Sequence, residues 1–150
     1  MPAALEWIDS EMKVMLAMQR ADGHVEDWYG EGNFNRTALL YALMKSQGVR
    51  AAPWKPGLRV GAVREGGALR LSLSAAARVE FDYARHRSVM NWQRNYVRLN
   101  EFPEWFVVDE NGLYELRQGT REPLVRLGSE MIAGVDLGSG EWTVVRIDGR

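Results

Sequence analysis

Apolar residues recur along the first part of the chain at the three-to-four-residue spacing of a helix. Leu5, Ile8, Met12, Met15 and Leu16 share one face, Trp7, Val14 and Met18 widen it, and Glu6, Asp9, Lys13 and Arg20 lie off it. The pattern predicts an amphipathic helix over residues 3–20, ended by Asp22-Gly23. A polar and aromatic loop follows, and a second helix is expected to start near Asn33 or Asn35, whose side-chain oxygens suit an N-cap. Phe34, Ala38, Leu39, Leu40, Tyr41, Ala42 and Leu43 make that helix apolar nearly all round, which implies burial on several sides. Lys45 in its last turn and Gly48 just past it fit the C-terminal end.

Pro53 and Pro56, on either side of Trp54, mark a change of period. From Leu58 onward apolar and polar residues alternate: Leu58, Val60 and Ala62, a turn at Glu65-Gly66-Gly67, then Leu69, Leu71 and Leu73 with Arg70, Ser72 and Ser74 opposite. Val79, Phe81 and Tyr83 repeat the alternation. Four further strands are predicted at Trp105–Val108, Leu113–Arg117, Leu124–Leu127 and Trp142–Ile147, with a turn at Glu110-Asn111-Gly112 and a brief helical turn over 128–132. The fold class is therefore α+β: an N-terminal helical pair followed by an antiparallel β-sandwich or sheet, divided as residues 1–52 and 53–150.

Composition adds exclusions. The 150 residues are 46% apolar, with six Trp, five Tyr and four Phe, which supports a packed core and excludes wholesale disorder. Without cysteine there are no disulfides, thiolate metal sites or cysteine nucleophiles. No apolar run approaches the roughly 18 residues needed to cross a bilayer, so no membrane partner is expected. The N-terminus lacks a secretory signal pattern, which reads as cytoplasmic if the chain is complete.

Charge is uneven. Residues 1–50 hold seven acids and five bases, whereas residues 51–100 hold nine bases against Glu65, Glu80 and Asp82. A basic middle suits an acidic glycan, a phosphate or a nucleic acid. The bases are dispersed among apolar residues, however, which favours a solvated strand face and ranks nucleic acid low.

Two segments carry candidate chemistry. His24 to Arg36 gathers one His, the carboxylates Glu26, Asp27 and Glu31, the aromatics Trp28 and Tyr29, and Asn33, Asn35 and Arg36. Paired carboxylates suit glycosyl transfer, one as acid and one as base or nucleophile. Tyr29 or His24 could instead carry the proton in eliminative cleavage of a uronic acid. Trp28 offers a flat face to a sugar ring, and Asn33 and Arg36 offer donors to hydroxyls and carboxylates. The same loop also reads as turn glycines, an N-cap and inward-packed aromatics. No metal site is expected, because His24 has no second His beside it, and no cofactor motif is present. The second segment runs from Asp82 through Arg85, His86, Trp92 and Tyr96 to Phe106. It reads either as a loop binding a polar or acidic ligand through Arg85 and His86, or as an ordered crossover whose aromatics lock the sheet.

The run Asp27-Trp28-Tyr29-Gly30-Glu31-Gly32-Asn33-Phe34-Asn35-Arg36-Thr37 and its continuation to Lys45-Ser46-Gln47-Gly48 resembles the last helices of an (α/α) toroid in glycan-degrading enzymes. Such toroids, in glycoside hydrolases and heparinase-like polysaccharide lyases, are commonly followed by an antiparallel β-sandwich. The phrases Phe81 to Arg87 and Asn100 to Phe106 are similar to that C-terminal sheet region. A full toroid has many more helices, so the resemblance implies the C-terminal portion, or a reduced relative, of a polysaccharide-degrading enzyme. It places Trp28, Tyr29, Glu31, Asn33 and Arg36 near a glycan subsite. The alternative is a non-catalytic accessory or assembly module, which docks on a partner chain or self-associates through its helices. The expected partners are thus a glycan, and either a second copy or a missing upstream domain.

Overall fold

The computed structural model describes residues 2–22, 33–92 and 104–149, with side chains omitted for residues 2–5 and 33. The chain divides into two units, Met1–Met44 and Lys45–Arg150. Among the described residues, no helix is long and apolar enough to cross a membrane.

The first unit holds α1 (Pro2–Ala17) and most of α2 (Asn33–Ser46). Met12 is its buried anchor, and the Tyr41 hydroxyl donates to Asp9 Oδ1 at 2.8 Å, tying the two helices together. α1 stops short of the predicted Arg20. Met18 and Gln19 donate their amides to the carbonyls of Met15 and Leu16, so the last turn tightens into three-residue bonds and the α-pattern ends. α2 starts at Asn33 and ends before Gln47 and Gly48, both at positive φ, as its sequence implied. Its expected burial on several sides is not found: Phe34 and Leu39 are half exposed.

The second unit is built of two antiparallel sheets. The three-stranded one has the order β1 (Val49–Ala51), β4 (Ala77–Phe81), β7 (Val135–Leu137). The other has the order β2 (Val60–Glu65), β3 (Ala68–Leu73), β8 (Gly140–Arg146), β5 (Leu113–Arg117), β6 (Leu124–Leu127). β2 and β3 form the predicted hairpin, turning through Gly66 at positive φ. Because side chains alternate, the cross-strand row Leu69, Val144, Leu116 points inward and is fully buried. Each such side chain contributes about 1.5–3 kcal/mol by leaving water. Val79, Phe81, Val135 and Leu137 of the other sheet join the same core, as does Met131 of α4 (Gly128–Ala133). The Glu130 carboxylate reaches back to accept the Leu127 amide at 2.8 Å and starts that short helix.

Two departures from the pattern stand out. Trp105–Val108 is not a strand: Phe106 and Val108 are buried as alternation requires, but the segment enters no ladder. It is held instead by isolated bonds, Val108 N–H to the Asp82 carbonyl at 2.8 Å and the Arg64 guanidinium to the Trp105 carbonyl at 3.1 Å. Conversely, β1 and β7 carry no alternation signal, since three residues are too few to display a period.

Candidate functional site

Chemistry-bearing side chains converge where β4 ends. Beyond Phe81 the chain turns at Asp82, whose carboxylate accepts the Tyr83 amide on Oδ1 and the Arg85 guanidinium on Oδ2, both at 3.0 Å. This double anchor launches α3 (Arg85–Ser88), a single turn closed by the Ser88 hydroxyl donating to the Ala84 carbonyl at 2.7 Å. The turn drives His86 inward, where it is 3% exposed.

His86 is gripped from two directions. Its backbone amide donates to Glu104 Oε1 at 2.7 Å, and its Nδ1 lies 3.0 Å from the same oxygen. The Trp92 ring stacks on the imidazole at 5.3 Å between centroids and 7° between planes, and the Trp92 amide donates to the His86 carbonyl at 2.8 Å. The Glu104 side chain is wholly buried, and its Oε2 has no hydrogen-bond partner among the described residues. A histidine oriented by a carboxylate is a proton-transfer arrangement in principle. Here the imidazole is shut away from solvent, so the pair serves to hold Trp92 and Glu104, the two described ends that flank residues 93–103, onto α3.

Burial decides the electrostatics of Asp82. Desolvation raises its pKa above the ordinary aspartate value, outweighing the opposing pull of Arg85 and the Tyr83 amide, and the nearby Glu104 charge adds to the rise. The native state therefore binds this proton more tightly than the unfolded chain does. The resulting stability is complete below the unfolded-state pKa and is lost as pH rises through the native one. Titrating unfolding free energy against pH should show this decline in the wild type and not in Asp82→Asn; parallel curves would contradict it.

The sequence-predicted residues fare unevenly. Arg85 and His86, expected to bind substrate, are brought together with Asp82 and Glu104, and His86 is sealed in rather than presented. Arg36 lies on the exposed surface of α2, and Asn33 is the first residue of that helix. His24, Glu26, Asp27, Trp28, Tyr29 and Glu31 lie outside the described residues. Nothing in the spacing of the sequence marks Glu104 and Trp92 as partners of His86. The available signal was a carboxylate set among Phe102, Pro103, Trp105 and Phe106, a neighbourhood too apolar for a solvated acid.

Of the described bases in the middle of the chain, Arg59, Arg64, Arg70, Arg78 and Arg87 are exposed, whereas Arg85 is partly buried against Asp82. A groove of about 770 Å³ crosses the outer side of the five-stranded sheet. Of its lining, Arg70 bonds Glu65 at 3.1 Å and Thr143 Oγ1 at 2.8 Å, and Arg117 bonds the neighbouring Glu115 at 2.6 Å. Among the described residues, no group of three or more His, Asp or Glu side chains is placed to hold a metal ion. No protein-family model, curated protein or solved structure matches this chain.

Proposed function

We propose that this chain is carbohydrate-active, the C-terminal portion or a reduced relative of a polysaccharide-degrading enzyme that breaks glycosidic bonds by hydrolysis or elimination. The observation that carries the reading is architectural. A helical pair, whose second member spans Asn33–Ser46 within the toroid-like run, precedes a unit of two antiparallel sheets with a shared core. The proton-transfer roles fall to Glu26, Asp27 or Glu31, with His24 or Tyr29 as the alternative carrier, because His86 is committed to the buried pair with Glu104.

The test is incubation with neutral and uronate-containing polysaccharides. Hydrolysis releases reducing ends, and elimination leaves an unsaturated uronate that absorbs in the ultraviolet. Glu31→Gln should lower the rate by about a hundredfold or more if Glu31 is the acid or base. Absence of cleavage across the panel would overturn the enzymatic reading.

A second reading has its own observation. The helices leave Trp7, Val14, Met18, Phe34 and Leu39 substantially exposed, more large apolar surface than two short helices ordinarily show to water. A stable dimer or larger assembly in solution, with no activity on glycans, favours an accessory or assembly module.

A further inference from the structure

α1 carries two apolar faces. Met12 turns to the covered side, with Ile8 and Met15 half-buried beside it. Trp7 and Val14 stand seven positions apart, just under two helical turns, and Met18 follows one turn later, so the three share a separate face. That face lies in water: Trp7 and Val14 are 65% exposed and Met18 is 60% exposed. Charge flanks it in a set order. Glu6 directly precedes Trp7 and Lys13 directly precedes Val14, which puts opposite charges on the same flank, again seven positions apart. Both are exposed, and neither takes part in an ion pair among the described residues. Glu11 stands on the opposite flank.

We propose that this face pairs with the same face of a second copy of the chain, the two α1 helices running antiparallel about a two-fold axis near Ser10. The inference rests on the assembly reading and names the partner, the face and the direction within it. A two-fold interface repeats every contact, so the surface must complement itself. In the antiparallel order Glu6 of each copy meets Lys13 of the other. Trp7 then lies over the stretch from Ser10 to Val14, where the small, exposed Ser10 leaves room for the indole. In the parallel order Glu6 would face Glu11 of the other copy, like charge against like. Burial of Trp7, Val14 and Met18 on both copies supplies the attraction, and the flanking charges select the direction.

The experiment is sedimentation equilibrium of the full chain over a range of concentrations. A monomer–dimer equilibrium is expected, weakened about tenfold or more in Trp7→Ala. Glu6→Lys and Lys13→Glu should each weaken it about tenfold, since each sets like charges together at both contacts. An equimolar mixture of those two variants should dimerise as the wild type does, because the mixed pair regains opposite charges at both contacts. A chain that stays monomeric overturns the pairing and leaves the face to a different partner. A dimer that none of the variants weakens overturns the α1 face while the assembly reading stands. Weakening by both reversals without recovery in their mixture overturns the antiparallel order. Cleavage of a glycan by a dimer that shows all the expected effects removes the accessory-module reading and keeps the pairing.

Discussion

Replacing Gly48 by alanine is expected to destabilise the Lys45–Arg150 unit by about 2–5 kcal/mol, combining a left-handed backbone with an overpacked contact. Gly48 has φ near +96°, and a Cβ added there would overlap the Phe106 carbonyl oxygen. Its own carbonyl accepts the Asp82 amide at 2.8 Å, so the residue cannot shift without loosening β4's exit toward α3. Gly66 is the matched comparison, because it too has positive φ, +59°, but open space where its Cβ would stand. Gly66→Ala should therefore show only the conformational part, about 1–2 kcal/mol. Urea unfolding midpoints measure both; equal midpoint shifts would show that the approach to Phe106 carries no energy of its own.

His86→Ala is the second large effect expected, about 2–5 kcal/mol, since it removes a buried ring stacked on Trp92 and leaves a cavity beside Glu104. Glu104 has no solvent exposure with which to compensate. Glu104→Gln should cost far less, because an amide oxygen can still accept the His86 backbone amide now bonded at 2.7 Å. Trp92 fluorescence provides a local readout. Loss of the stacked imidazole should alter its emission in His86→Ala under conditions where the chain is still folded, and an unchanged spectrum would argue against the stack. Comparable unfolding midpoints for His86→Ala and wild type would remove the pair from any structural role.

Much of the secondary structure was readable residue by residue. β5 and β6 occupy the predicted Leu113–Arg117 and Leu124–Leu127, and the helical turn near residue 128 is present as α4. The alternation at Trp105–Val108 was also meaningful, but it reported burial of Phe106 and Val108 rather than ladder pairing. Period two states which side chains face inward; whether a neighbouring strand is in reach is settled elsewhere in the chain. The candidate site was half legible. Arg85 and His86 were singled out for their residue types, yet their partners were hidden because a buried carboxylate looks no different in sequence from a solvated one.

Helix limits, the Gly66 turn and the inward faces of the longer strands follow from the chain alone, because caps, turn glycines and side-chain periodicity act across a few residues. The three-residue strands β1 and β7, the seat of Phe106 over Gly48 and the joining of His86 to Glu104 arise only in the folded molecule. Such short strands are stabilised by neighbours remote in the chain, and His86 and Glu104 meet across 18 positions. Their proximity comes with the return of the segment after residue 103 to the end of β4, where Val108 donates to the Asp82 carbonyl, and desolvation exists only once that contact has formed.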